Sequence, residues 1–326
     1  MKTQVVLLCL LLTVGAAQPW KVAAADSPVV GVGHFTHIVE DFDRSLAFYR
    51  DVLGLEVTTN VPFANTPAIM ALGNTPGAQS RMAQLRVPGS QLGVELIQYK
   101  DIDRKPQRPR FQDPGAANLM LNVRDLTAIL PKLVPAGGRI LTPKGEPATI
   151  PQGRFLFIQD PDGFVVELAQ TTTPPATAPA GNVYGGNLEL TVDNSEESVK
   201  FYNELLGFEM VLGKAFNDNQ QMAATAGTPG ASFRQSRATI PGSTVSMTLI
   251  EFKNIERKRL SGRTQDPGTA ILQLRVSDVT ALTQKLKAAG ATVVTTGGAP
   301  VEIRPGLRIS LVRDPNDVLL ELMETR

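Results

Sequence analysis

The chain has 326 residues, a formal net charge of +1, 42% hydrophobic and 19% charged residues, and one cysteine. A near-neutral balance with scattered Lys and Arg and only 6% aromatics excludes nucleic-acid binding through a basic face, and a lone cysteine excludes a disulfide scaffold. The length suits two domains better than a single core.

In chain order, the first feature is an apolar run from Val5 to Ala17 behind Lys2, followed by Ala23-Ala24-Ala25 and Asp26. This pattern predicts a secretory signal peptide over residues 1–25. The run falls short of the roughly 20 apolar residues that a membrane span requires. Cleavage would remove Cys9, Lys2 and Lys21, leaving a mature protein of formal charge −1 that is periplasmic or secreted, with no membrane contact.

Gly33 to Glu40 alternates like a strand, and Asp41 or Asp43 can cap a helix running to about Val52, with Gly54 as its stop. Strand-like segments follow at Leu55–Thr59, Arg81–Val87 and Leu92–Tyr99. The order then restarts: Ala117–Val123 as strand, Leu126–Val134 as helix, and Arg139–Thr142, Arg154–Gln159 and Phe164–Ala169 as strands. Residues 171–181, rich in Thr, Pro and Ala, read as an extended linker. Beyond it come Gly186–Val192, a helix from Glu196 to Leu206 capped by Asn194, and closing strands at Arg308–Val312 and Val318–Met323.

The chain is also written twice. Phe48-Tyr49-Arg50-Asp51-Val52-Leu53-Gly54 returns 153 residues later as Phe201-Tyr202-Asn203-Glu204-Leu205-Leu206-Gly207, and Gln112-Asp113-Pro114-Gly115 as Gln265-Asp266-Pro267-Gly268. Each copy holds two βαβββ modules. The fold class is therefore α+β, with one domain over residues 29–170 and another over 182–326.

Gly33-His34-Phe35-Thr36-His37-Ile38-Val39-Glu40, running on to Phe48-Tyr49 and Leu53-Gly54, resembles the opening signature of the vicinal oxygen chelate superfamily, which includes glyoxalase I, bleomycin-resistance proteins and extradiol dioxygenases. Asp160-Pro161-Asp162-Gly163-Phe164-Val165-Val166-Glu167-Leu168 is similar to its closing signature, and residues 314–322 are a looser copy. The resemblance implies two tandem glyoxalase-like domains whose mixed sheets curl into cups. It also implies one divalent metal ion (Zn, Mn, Fe, Ni or Mg), held by the first and last strands of paired modules.

Pairing the modules within each half puts these positions on His34, Glu95, Asn118 and Glu167 in the first domain, against Asn187, Thr248, Ile271 and Glu321 in the second. Strand periodicity sets His34 and Glu95 opposite apolar neighbours and His37 on the reverse face, packed or hydrogen-bonded near the helix. One imidazole and two carboxylates suit a hard or borderline cation. Glu167 and Glu95 are the candidates for moving a proton. The resemblance thus implies an exported, metal-dependent enzyme of isomerase or lyase type acting on a small oxygenated metabolite, as monomer or homodimer. The alternative is a non-catalytic module that sequesters a small molecule. Glyoxalase I itself fits an exported chain poorly, because its thiol-conjugated substrate is cytoplasmic.

Overall fold

The computed structural model describes residues 27–150, 153–171 and 173–326; the expected signal peptide lies outside the described residues. The first module contains β1 (Val29–Ile38), α1 (Phe42–Ala47, continuing as a π-turn over Phe48–Val52), β2 (Glu56–Ala64), α2 (Pro67–Gly73), β3 (Gln79–Arg86) and β4 (Gly93–Lys100). The second has β5 (Ala117–Val123), α3 (Leu130–Leu133), β6 (Arg139–Ile140), β7 (Ala148–Ile150), β8 (Gly153–Gln159) and β9 (Val165–Thr171). In the third are β10 (Val183–Val192), α4 (Ser195–Leu206), α5 (Gln220–Thr225), β11 (Ser232–Thr239) and β12 (Ser246–Lys253). The fourth consists of β13 (Ala270–Val276), α6 (Val279–Ala288), β14 (Val301–Arg304), β15 (Leu307–Arg313) and β16 (Leu319–Thr325). The outer strand of the third module is reduced to isolated bridges, Val211 to Arg237 and Asn217 to Phe233.

The helix ends carry their causes in the sequence. Asp41 accepts the Arg44 N–H ahead of α1, and Asn194 accepts the Glu197 N–H ahead of α4, which Gly207 closes at φ 71°. The helix expected over Leu126–Val134 shrinks to Leu130–Leu133. Pro131 brings no N–H, and its ring crowds the carbonyl four residues back, so only turns precede it.

The modules pair differently from expectation. One eight-stranded sheet runs β14-β15-β16-β13-β1-β4-β3-β2, and the other runs β11-β12-β10-β5-β9-β8-β6 with β7 on β8. The first module therefore joins the fourth, through antiparallel β1 and β13, and the second joins the third, through β5 and β10. Each curled sheet draws one module from each half of the chain.

Two arms hold this exchange in place. Lys105 N–H donates to Asp266 Oδ1 at 2.7 Å, and its repeat equivalent, Lys258 N–H, donates to Asp113 Oδ1 at 2.8 Å. Gln107 N–H to Pro267 O (2.7 Å) is matched by Leu260 N–H to Pro114 O (2.9 Å). Reciprocal contacts between equivalent positions define an internal two-fold axis. Thr244 N–H donates to Gln91 Oε1, 153 residues away, so equivalent turns meet near that axis.

One apolar cluster lies between the sheets, with Phe35, Leu96, Leu272 and Leu320 from one meeting Leu119, Leu168, Leu188 and Leu249 from the other. Because side chains alternate along a strand, the residues between these face away from that core, onto the inner face of each cup. Residues 173–182 form neither helix nor strand, and Arg124 pins them by donating to the carbonyls of Ala178, Pro179 and Gly181. Among the described residues, no helix is long and apolar enough to cross a membrane.

Candidate functional site

The strand order divides the expected quartet. His34 and Glu95 lie in one cup, and Asn118 and Glu167 in the other. What joins His34 and Glu95 comes from the far end of the chain. Gln273 on β13 and Glu321 on β16 are directly paired and share their face.

On this floor Thr36 lies beside Glu95, and His34 beside Gly93. Glu95 is buried and accepts two hydrogen bonds, from Thr36 Oγ1 (2.9 Å) and Gln84 Nε2 (3.0 Å). Glu321 accepts one, from Gln273 Nε2 at 2.6 Å. Burial, followed by the charge of Glu95, pushes the Glu321 carboxyl up to about 7. Burial and the two carboxylates together also hold the Tyr99 phenol well above its ordinary value.

His34 Nδ1 is buried without a hydrogen-bond partner among the described residues. The imidazole rests on Gly93, where a Cβ would stand 2.5 Å from Cδ2, and a Cβ on Gly33 would collide with Gln273 Oε1. Two glycines thus make room for two polar side chains on the floor.

Among the described residues, no three His, Cys, Asp or Glu side chains are already gathered around one point. Glu95 is instead turned toward Thr36 and Gln84, and Glu321 toward Gln273. The donor set nevertheless fits a divalent cation. One imidazole, two carboxylates and an amide oxygen suit a hard or borderline ion, the two carboxylates repel one another without a cation, and one imidazole nitrogen is unsatisfied.

The second cup has a different floor. Glu189 pairs across the sheet with Asn118 and Thr248, and Met120 with Glu167. Asn118 is fully buried, and among the described residues neither of its side-chain polar atoms has a partner. Burial raises Glu167 well above the usual carboxylate range, and Glu189 adds to the shift. Burial lifts Glu189 itself to about 7, opposed by the Arg237 charge. Two carboxyls this close titrate as a pair. Three arginines are engaged elsewhere and neutralise none of these carboxyls: Arg81 pairs with Asp43, Arg86 with Glu56, and Arg154 reaches Gln170.

His37 lies on the reverse face, as its position in the strand predicts. Fully buried, it stacks on Phe164 at 3.8 Å and lies 2.7 Å from Tyr49 Oη, which donates to Asp160 Oδ2 at 2.8 Å. Burial lowers its pKa despite Asp160, which favours the neutral ring, and because the single Tyr49 hydroxyl proton goes to Asp160, the contact to Tyr49 calls for a proton on Nδ1. It ties the opening signature to the closing loop and takes no part in the cup.

Gln273 was missed because the repeat was aligned on Ile271. Its signal was the one that singled out Glu95, a polar residue inside an apolar run, Ile271-Leu272-Gln273-Leu274.

Two eight-stranded curled sheets, each with first and last module strands side by side at its centre, define a tandem chelate-type cup fold. The chain belongs to the Glyoxalase/Bleomycin resistance protein/Dioxygenase superfamily, whose profile matches residues 31–168 and again 186–322. Over 158 residues it is 31% identical to a 2-epi-5-epi-valiolone epimerase from Actinomyces sp, covering 46% of this chain and 82% of that protein. It is also 26% identical over 137 residues to a probable lactoylglutathione lyase from Synechocystis sp., covering 41% of this chain and 91% of the relative. The structure of glyoxalase I from Zea mays is similar in fold, with a TM-score of 0.58 at 19% identity over 90% of this chain and 92% of that one. A putative dioxygenase from Bacillus subtilis matches with a TM-score of 0.56 at 16% identity, over 91% and 86% of the two chains.

Proposed function

We propose that the cup built from the first and fourth modules is a divalent-metal-dependent isomerase or lyase site for a small oxygenated metabolite. The observation that carries this reading is the meeting of His34, Glu95, Gln273 and Glu321 on one floor. These four residues would hold the ion. When bound, it supplies electrostatic stabilisation to an oxyanion developing on the substrate.

The chain's own residues divide the remaining work. Glu95 has both oxygens engaged, by Thr36 and Gln84, and is fixed in orientation. Glu321 has only Oε1 engaged, so Oε2 is free to take a proton from a carbon beside a carbonyl and return it. Tyr99, kept neutral, is a hydroxyl donor next to both carboxyls. The names of the two relatives, an epimerase and a probable lyase, support the reaction class. Export through the segment Val5–Ala25 belongs to the same reading and is tested by N-terminal sequencing of protein recovered outside the cytoplasm.

The test is elemental analysis of purified protein, together with NMR detection of solvent deuterium entering a panel of small α-hydroxycarbonyl compounds. One metal ion per chain, with exchange that disappears in Glu321→Gln, is the expected result. Metal-free protein that takes up no added divalent ion would refute it and favour the sequestering alternative.

A further inference from the structure

We propose that the end of this cup beside His34 is an anion subsite, in which Arg275, assisted by Arg86, binds a carboxylate or phosphate group of the substrate. A cavity of about 200 Å³ opens there, lined by Gly33, His34, Thr58, Arg86, Gly93 and Arg275 among others. At roughly 30 Å³ per water, that is room for one ionised head group and little more. Its ionisable lining comprises two arginines and a histidine, with no carboxylate.

Arg275 is placed by the strand. It follows Gln273 by two residues on β13, so both face the same side, and its stem lies along Gly31, with Cδ 3.4 Å from where a Cβ there would stand. The guanidinium is exposed and forms no ion pair among the described residues. Arg86 is paired with Glu56, so its charge is partly spent. A planar guanidinium at the mouth of a small cavity, with a row of donors free, matches the two-oxygen edge of a carboxylate or phosphate. His34 contributes the inner wall, so a bound head group places the adjoining carbon toward the Glu95 and Glu321 floor.

The other cup shows that the fold does not need these charges. The repeat places Asn122 where Arg275 stands and Thr239 where Arg86 stands; β11 pairs in register there, and β5 carries the same shift beside Asn122 that β13 carries beside Arg275. The two arginines occur only in the cup that gathers His34, Glu95, Gln273 and Glu321.

The assignment of the anion to a substrate rests on the proposed function, whereas the anion binding itself does not. The experiment therefore uses metal-stripped full-length protein and calorimetric titration with malonate and, separately, inorganic phosphate. Wild type should bind at least one of the two saturably, and whichever binds more tightly identifies the head group. Arg275→Gln should weaken that binding by about tenfold or more, and Arg86→Gln by less, with unchanged thermal unfolding, since both side chains are exposed. Equal binding by wild type and Arg275→Gln, or no saturable binding of either anion, overturns the subsite. Saturable binding lost in Arg275→Gln supports it even if the protein proves unable to hold metal, which separates its failure from that of the proposed function.

Discussion

Where the metal-type cup carries His34, with a buried nitrogen left unpartnered, the other carries Asn187, whose Oδ1 accepts the Ser246 N–H at 2.9 Å. At the positions of Glu95 and Gln273 the second cup has Thr248 and Met120. Only Glu167 persists, opposite Glu321. In exchange it has gained Glu189 where the first cup has Thr36, and Arg237 where it has Gln84. One scaffold has thus been furnished in two ways: a nitrogen-and-oxygen donor set beside Arg275, which has no ion-pair partner among the described residues, and a crowded carboxyl pair opposite an arginine. The strands tolerate both. What stands on the floor therefore reflects chemistry rather than the needs of folding.

The largest effect should come from setting the two retained glutamates against each other. Glu321→Ala should abolish stoichiometric metal and lower any turnover by about a hundredfold or more, while Glu167→Ala leaves the metal content unchanged. Elemental analysis of both variants decides it, and metal loss in Glu167→Ala would restore the grouping expected from sequence.

Next, Thr36→Val removes a hydrogen bond from Glu95 while keeping its shape, and should weaken metal affinity by roughly 10- to 100-fold in a competitive chelator titration. The matching change in the other cup, Glu189→Thr, should leave it untouched.

Glu189→Gln should instead alter stability. Its folded pKa of about 7 lies above the unfolded value near 4.5, so between those pH values the folded state binds more protons and stability falls as pH rises. The variant should flatten that fall, by about 1–3 kcal/mol, in denaturant titrations at pH 5 and pH 8. An unchanged pH slope would show that the pair is not crowded in solution.

The smallest effect concerns the reverse faces. Tyr49 bridges His37 and Asp160, whereas Tyr202 bonds only Asp314, at 3.1 Å. Tyr49→Phe should cost about 1–3 kcal/mol and Tyr202→Phe about 1 kcal/mol in chemical unfolding.

Much of this architecture was legible in the sequence. Alternation located β1, β4, β5 and β16 to within a few residues, and Asn194 with Glu197 marked the start of α4. Local signals fail where the cause is not local. The helix Pro67–Gly73 hid inside a Pro- and Asn-rich stretch, although Pro67 at its first turn and Asn74 in left-handed conformation at its end are ordinary boundary residues. Module pairing failed for a deeper reason. The two domains matched by the family profile follow the repeat, but every module's first strand offers the same edge, and alternation along one strand does not say which partner covers it. The arms around Lys105 and Lys258, which carry the chain from one sheet to the other, have no periodicity to read. His34 and Glu95 belong to one module and lie together under either pairing, whereas the place of Asn118 and Glu167 depends on the pairing and falls in the other cup.

The exchange of modules also sets a timetable for folding. β1 is among the first strands made and its partner β13 among the last, and Ser277 bonds back to Pro28 across 249 residues. Until the fourth module emerges, β1 presents a long unpaired edge, and β5 does the same until β10 follows. Topologies dominated by such distant pairings fold slowly and are exposed to association on the way. For this protein that exposure falls on the first half of the chain, whose β1 edge is covered only by β13 from the last module.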